Sequence, residues 1–305
     1  MRFTWKKLGR IFNPETYPRH DKLLTHAANP LPVHLGGDLF RIYYSGRDEN
    51  NRSSVGVVDV DLQAGAVKTV YHEPVFLHGP PGSFYADGVS IGNCYSADGK
   101  TYMLFMGWQV PQGGHWRGDI GRLVVDQSGA LTIDGNSPFM GVASEDPVSL
   151  SYPWVSSDDE GFTMWYGSTV SWDGGNGEMI HVINSATSDD GHNWLRHGLA
   201  VPYRLGLAQA FSHPTVLKHQ NGDLSMWFSC RSGRGEKYRI GYAEKAAGED
   251  WRLDLENSGI DVADDGWDSE MIAYPFVFQH RAQTYMLYNG NGFGLTGFGL
   301  AVLEN

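Results

Sequence analysis

The sequence predicts an all-β protein, a five-bladed β-propeller whose ring is closed by its N-terminal strand. Three observations predict this fold. Short strand-like runs alternate with turns while helical periodicity is nearly absent, and one phrase recurs about every sixty residues. The last copy also lacks its fourth strand, and a matching segment stands at the start of the chain. Together they predict a single domain that covers residues 1–305.

The recurring phrase is an apolar run that begins at a proline and continues through a turn into an alternating strand. Full copies begin at Pro30, Pro153, Pro214 and Pro275. A weaker copy places Gly88 where the others have proline, which brings the number of copies to five. Such regular spacing predicts one supersecondary unit per copy.

Each copy is interpreted as a four-stranded sheet. The runs DLFRIYYSG, TYMLFMGW, FTMWYGS, DLSMWFS and TYMLYNG alternate between turn residues and predict the second strands. A third strand follows in every copy and a fourth in the first four, but the fifth copy ends without one. The segment Phe3 to Phe12 has the pattern of a fourth strand and is predicted to complete the fifth sheet, which removes an open edge. A β-sandwich is the alternative, and the regular spacing disfavours it.

Charge and composition narrow the classes of partner. The net charge is −12, the pI is about 5.4, and no basic run exceeds the pair Lys6-Lys7, so we expect no nucleic-acid partner. No stretch reaches the length of a membrane span, and the N-terminus lacks the apolar segment of a secretory signal. We therefore expect no membrane contact and a cytoplasmic protein. Cys94 and Cys230 are far apart and are predicted to be packed, reduced thiols.

Candidate ligand-binding residues follow from the predicted fold, because ligands bind propellers at one mouth of the central channel. The five copies begin at anchor residues, which are the four prolines and Gly88. The residues that immediately precede these anchors are Asn29, Asp87, Tyr152, His213 and Tyr274. Nearby loops contribute His26, Asp146, Glu270, Arg47, Trp108, Arg117 and Arg231. Hydrogen-bonding groups beside aromatic faces are typical of sugar sites. Three arginines in an acidic protein suggest a ligand with an anionic group.

Three motifs in the first copy are similar to those of a known group of proteins. They are Asn29-Pro30, the aromatic-Arg-acid segment 44–48 and SSVG at 53–56. Through the regular spacing of its copies, the chain resembles the five-bladed propeller glycosidases, namely the family 43 arabinanases and xylosidases, the family 32 invertases and the family 130 mannoside phosphorylases. The three motifs themselves are similar to the first blade of family 130. The resemblance to families 32 and 43 implies an aspartate before the first-blade proline, where this chain has Asn29. The chain also resembles uncharacterised glycosidase-like propeller proteins, with ends similar to GWDSEMIAYPFVF and YMLYNGNGFGLTGFGLAV.

The resemblance to family 130 implies that Asp87 is the proton donor, although Gly88 replaces the proline that follows the donor in that family. Glycoside cleavage uses two carboxyl groups, so Glu270 is the candidate that activates water and Asp146 is the reserve. The alternatives are a turn carboxylate for Asp87 and a capping or solvated role for Glu270. No set of residues has transition-metal spacing, and we expect no cofactor. A structural calcium near the channel axis, close to His213, stays open.

The sequence thus favours a glycoside hydrolase or phosphorylase acting on a carbohydrate or an anionic sugar-containing small molecule. Two other classes remain open. One is a biosynthetic enzyme of a glycoconjugate or secondary-metabolite pathway, and the other is a non-catalytic glycan-binding propeller. Fold alone does not choose among them, so the geometry of the site has to decide.

Overall fold

A computed structural model describes residues 3–304 and shows an all-β protein. Its strands in chain order are β1 (Trp5–Phe12), β2 (Thr25–Gly36), β3 (Leu39–Arg47), β4 (Ser53–Asp61), β5 (Ala66–Val70), β6 (Gly88–Ala97), β7 (Lys100–Gln109), β8 (Arg117–Val125), β9 (Leu131–Ile133), β10 (Leu150–Asp158), β11 (Gly161–Ser171), β12 (Ile180–Ser188), β13 (Leu195–Leu199), β14 (Ala210–Lys218), β15 (Leu224–Arg231), β16 (Arg239–Lys245), β17 (Arg252–Leu253), β18 (Ala273–His280), β19 (Gln283–Asn289) and β20 (Phe298–Leu303). Short helical turns occupy Pro14–Thr16, Leu255–Asn257 and Asn291–Gly294. No helix in this part of the chain is long and apolar enough to span a membrane.

The strands pair in antiparallel runs of four, as the sequence predicts. We call these runs repeats 1 to 4 (β2–β5, β6–β9, β10–β13 and β14–β17), and repeat 5 contains β18, β19, β20 and β1. A single parallel bridge, Ser53 to Gly88, joins repeats 1 and 2 into an eight-stranded sheet, and the bridge from His181 to Ala210 does the same for repeats 3 and 4. The all-β class is therefore confirmed.

The N-terminal strand completes repeat 5. β1 runs antiparallel to β20, from the pair Trp5 and Leu303 to the pair Phe12 and Phe298. Trp5 and Phe12 are only 5% and 2% exposed, because each side chain packs against a neighbouring repeat. The ring of Trp5 lies 5.5 Å from that of Trp227 in repeat 4, and Phe12 lies 5.3 Å from Tyr44 in repeat 1. The prediction that Phe3 to Phe12 supplies the missing strand is confirmed over β1.

The first strands of the repeats contact one another in cyclic order. β2 contacts β6, β6 contacts β10, β10 contacts β14, β14 contacts β18, and β18 returns to β2. Buried apolar side chains fill the space between successive sheets and form the main core. This order agrees with a propeller-like arrangement, in which one end of the first strands from every repeat surrounds a common centre.

Each first strand carries a β-bulge at the same place, where two residues oppose one residue of the second strand. Before the proline of repeats 1, 3, 4 and 5, φ is 55° at Asn29, 37° at Tyr152, 53° at His213 and 52° at Tyr274. This left-handed conformation is unfavourable for residues with a side chain, and a bulge re-aims the side chain that it contains. The recurring proline phrase therefore encodes a bulge in the first strand.

Repeat 2 places this bulge at Gly92 and Asn93, so the prediction that Gly88 replaces the proline was wrong. Asn93 fills the proline position, and its side-chain amide bonds the N–H and C=O groups of Val155 in repeat 3, at 2.9 and 2.8 Å. With Asn93 in the set, the anchors are spaced more evenly than with Gly88. Asp87 consequently lies at the start of β6 and not at the bulge.

Candidate functional site

A central pocket of about 390 Å³ receives side chains from all five repeats. It is lined by Arg47, Ser90, Met106, Trp108, Val110, Trp116, Tyr152, Met179, His181, Ser212, Arg231, Tyr238, Tyr274 and Phe293. The pocket thus contains five of the predicted ligand-binding residues, namely Arg47, Trp108, Tyr152, Arg231 and Tyr274. Six aromatic rings and two guanidinium groups dominate its surface, and no carboxylate within residues 3–304 lines it.

Three bulge residues form an aromatic cluster at this pocket. The ring centroids of Tyr152, His213 and Tyr274 lie 5.3 to 5.6 Å apart, and the Tyr152 hydroxyl donates to that of Tyr274 at 3.2 Å. Burial raises the pKa of both phenols, and that of Tyr274 most strongly. The two tyrosines therefore stay protonated and present neutral hydroxyls and ring faces to a ligand.

Asn29 and His213 are buried polar residues that do not themselves line the pocket, although the His213 ring packs against the two pocket tyrosines. Asn29 and His213 are each 1% exposed, and neither the Asn29 amide nor Nε2 of His213 has a hydrogen-bond partner among residues 3–304. His26 shares a 2.9 Å hydrogen bond with the Thr25 hydroxyl. The described residues contain no cluster of three His, Cys, Asp or Glu side chains that could hold a metal ion. The calcium near the axis stays a prediction without ligands to support it.

Sequence reasoning did not single out several residues of the pocket, among them Trp116, His181, Tyr238 and Phe293. His181 bridges two hydroxyls, at 2.6 Å from Ser151 and 2.8 Å from Thr169. Phe293 adopts φ 60°, which is unusual for an aromatic residue. It lies inside the glycine-rich run GNGFGLTG, and that run is the sequence signal that could have singled it out. The other three lie on strand ends or loops without a recurring pattern.

The buried histidines predict a pH-dependent stability. Burial lowers the pKa of His181 and His213 from 6.5 to about 4, so the unfolded chain binds protons in this window that the folded protein does not. The free energy of unfolding should fall as the pH falls from about 6.5, by about 1 kcal/mol per pH unit for each histidine. Urea unfolding at pH 7 and pH 5 measures this. His213→Gln should flatten the dependence, whereas exposed His115→Gln should not, and equal stability at both pH values would contradict the assignment.

The three predicted arginines have different surroundings. Arg231 donates to Glu178 at 2.8 Å and lies 4.5 Å from the Tyr238 ring centroid. Arg117 lies 3.4 Å from Asp119 and does not line the pocket. Arg47 lines the pocket without an ion pair or side-chain hydrogen bond to any residue between 3 and 304. Of the three, Arg47 has an uncompensated charge.

Asp87 lies at the rim of the central pocket. Its Oδ2 accepts the N–H of Val110 at 2.7 Å, and its backbone N–H bonds the carbonyl of Trp108 at 3.0 Å. Both of these partners line the pocket. Oδ1 makes no hydrogen bond to a described residue. Asp87 as a residue is half-buried, while its carboxylate lies at an exposed position where one backbone donor orients it and one oxygen is left for a ligand.

Glu270 lies in a neighbouring side groove of about 550 Å³, which shares Arg231, Tyr238 and Phe293 with the central pocket. The Glu270 side chain is 57% exposed and forms an ion pair with Lys237. Glu270 was predicted to activate water in the channel, but the structure places its carboxylate farther out, in this groove and not in the lining of the central pocket.

Asp146 is fully buried inside repeat 3. It accepts hydrogen bonds from Tyr166, Ser168, Asn184 and Arg196 at 2.6 to 2.8 Å. Four donors satisfy both carboxylate oxygens, and none of these residues lines the pocket. This arrangement stabilises the repeat and corrects the prediction of Asp146 as a reserve catalytic group.

The fold is shared with carbohydrate-active enzymes of known structure. A structure described as "Glycoside hydrolase" superposes with a TM-score of 0.75 at 15% identity, covering 99% of this chain and 92% of the other. A structure titled "The GH130 family of mannoside phosphorylases contains glycoside hydrolases that target beta-1,2 mannosidic linkages in Candida mannan" gives a TM-score of 0.74 at 12% identity, covering 99% and 94%. At these identities the similarity shows that this chain shares the fold of the two proteins.

Two relatives are similar over the whole chain, whereas no protein-family model matches it. "Uncharacterized protein Rv1502" and "Uncharacterized protein MT1551", from the H37Rv and CDC 1551 strains of Mycobacterium tuberculosis, are each 41% identical over 302 residues. The alignment covers 99% of this chain and 99% of each relative. This chain therefore belongs to the family of these two mycobacterial proteins.

Proposed function

We propose that this protein is a glycoside hydrolase or phosphorylase that cleaves its substrate in the central pocket, with the five repeats as the blades of one propeller. The observation that carries this proposal is the pocket itself, where ring faces and hydroxyl groups surround a site with Asp87 at its rim. Such surfaces suit sugars, because the ring faces pack against C–H groups while polar groups bond hydroxyls. The fold shared with glycoside hydrolases and phosphorylases supports the same class.

Asp87 is the proposed proton donor. Because Oδ2 is fixed by the Val110 N–H, Oδ1 is the oxygen that would carry the proton to the glycosidic oxygen. The rings of Trp108 and Tyr274 would hold the sugar beside it. Leaving-group protonation by a positioned carboxylic acid is common to most glycoside hydrolases, so this assignment does not depend on the stereochemical outcome.

Glu178 is a better-placed second carboxylate than Glu270. Its side chain is 16% exposed, and Oε1 accepts the N–H of Met179 at 3.1 Å as well as the guanidinium of Arg231. Met179 and Arg231 both line the pocket. In the hydrolase case, Glu178 would orient the attacking water. In the phosphorylase case, phosphate would take the place of that water, near the two arginines.

A screen of the wild type tests the proposal. The protein is incubated with 4-nitrophenyl glycosides of the common hexoses, pentoses and uronic acids, and with disaccharides, in the presence and absence of phosphate. Products are identified by NMR. We expect release of a free sugar, or of a sugar 1-phosphate that appears only with phosphate. Absence of any cleavage, together with binding of the same sugars, would reject the enzyme proposal.

That outcome would favour a non-catalytic glycan-binding protein, the second candidate. One specific observation supports it: no carboxylate in residues 3–304 lines the central pocket, and Asp87 reaches only its rim. A binding protein needs the aromatic faces and the arginines but no proton donor. Sugar affinity without turnover, unchanged in Asp87→Asn, would identify this class.

A further inference from the structure

The central pocket contains an unusual charge arrangement. The protein has a net charge of −12, yet the described residues that line the pocket include two arginines and no carboxylate. Glu178 compensates Arg231, whereas Arg47 meets no acidic side chain within 4 Å among residues 3–304. The Arg47 guanidinium is thus free to pair with an anionic group of a ligand that enters the pocket.

Arg47 is held at the rim by strand pairing and not by side-chain contacts. It ends β3, opposite Ser53 of β4, and Ser53 in turn bridges Gly88, the residue after Asp87. Arg47 and Asp87 therefore lie two strands apart, which corresponds to a separation of about 10 Å between their backbones. A sugar that binds beside Asp87 would have one edge close to Arg47.

The charge of Arg47 also affects groups around the pocket. It contributes, after burial, to the lowered pKa of His26, and it opposes the rise in the pKa of Tyr152 and Tyr274 that burial causes. Three groups from repeats 1, 3 and 5 thus sense the same guanidinium. This agrees with a cation that faces the shared centre of the repeats.

We propose that the substrate is an acidic sugar whose own carboxylate or phosphate ester binds Arg47. This inference rests on the proposed function, since it places the sugar in the same pocket. The planar guanidinium matches a two-oxygen anion, and the aromatic rings beside it suit the sugar to which the anion is attached. Free inorganic phosphate shares this chemistry, so the test has to separate the two sources.

Titrations that follow the fluorescence of the protein, whose pocket contains Trp108 and Trp116, provide the test. The probes are glucuronate, galacturonate, glucose 6-phosphate and mannose 6-phosphate, their neutral parent sugars, and inorganic phosphate and sulfate. At least one acidic sugar should bind tenfold or more tightly than its parent and than inorganic phosphate. Arg47→Gln should weaken that binding about ten- to hundredfold, and Arg47→Lys should restore part of it. Arg281→Gln, on the exposed hairpin between β18 and β19, is the matched control and should change nothing.

Each other result overturns the inference. Equal affinity for acidic and neutral sugars, or no binding by any acidic sugar, would show that the substrate carries no recognised anion. Inorganic phosphate that binds as tightly as the acidic sugars would assign Arg47 to a free anion. The proposed function can fail separately: acidic sugars that bind through Arg47 without being cleaved leave the inference intact, whereas cleavage of neutral glycosides by Arg47→Gln at the wild-type rate rejects only the inference.

Discussion

Asp87→Asn is expected to lower turnover on the order of a hundredfold for a glycoside with a poor leaving group, while the protein remains folded. The substitution is nearly isosteric, and the side-chain oxygen can still accept the Val110 N–H. It removes the proton that the leaving oxygen requires. Steady-state kinetics on an alkyl glycoside or disaccharide, chosen from the wild-type screen, measure the effect.

An activated substrate supplies the control for Asp87→Asn. The dinitrophenolate group of a 2,4-dinitrophenyl glycoside leaves without being protonated, so Asp87→Asn should lower the turnover of this substrate much less. Glu178→Gln should instead slow both substrates, because a group that orients the nucleophile acts whatever the leaving group is. Glu270→Gln should be close to wild type, since its carboxylate is exposed and paired with Lys237. Full activity of Asp87→Asn on the alkyl glycoside would remove Asp87 from the mechanism.

Deletion of residues 1–12 is expected to abolish soluble, folded protein. The deletion exposes the backbone edge of β20 and removes Trp5 and Phe12, which are large buried side chains worth about 3–5 kcal/mol each. It also removes Lys7, which lies 2.7 Å from the buried carboxylate of Asp268. The combined loss approaches the whole free energy of unfolding of a typical domain. Soluble yield, circular dichroism and light scattering measure the outcome.

A peptide of residues 3–12 makes this experiment more specific. Added in excess during refolding, it should restore soluble protein by pairing with β20 as an added strand. A peptide with alanine at the positions of Trp5 and Phe12 should fail, whereas one with alanine at exposed Lys6 should succeed. A deletion variant that is monomeric and melts at the wild-type temperature would show that β1 is dispensable.

Most of the fold was predictable because local sequence patterns determine its strands. The alternation of apolar and polar residues identified the strands. The segment Phe3 to Phe12, which has the pattern of a fourth strand, identified the partner of β20. Repeat 2 was misaligned because Asn93 replaces proline there by a different chemistry. Its amide bonds the backbone of Val155, so the bulge forms without the residue that marks it elsewhere. A register shift that proline supports in four repeats and asparagine in one leaves no constant sequence signal.

The site was predictable where it depends on the repeats and not where it depends on loops. Arg47, Trp108 and Arg231 end or nearly end second strands, so their place at the pocket follows from strand direction. Glu270 and Asp146 lie outside regular strands, where sequence gives no distance. The partners that distinguish Arg47 from Arg231 are tertiary contacts, which no spacing rule reveals.

The pairing of β1 with β20 also determines when repeat 5 can form. β1 is synthesised before the other nineteen strands and β20 after them, roughly three hundred residues later, which takes a ribosome about 15 to 60 s. During that interval Trp5 and Phe12 of β1 have no sheet to pack in. The pairing of β1 with β20 spans one of the largest sequence separations in the chain, which slows folding. Lys6, Lys7 and Arg10 place three positive charges on the waiting strand. Like-charge repulsion between nascent chains would then delay their aggregation until repeat 5 closes.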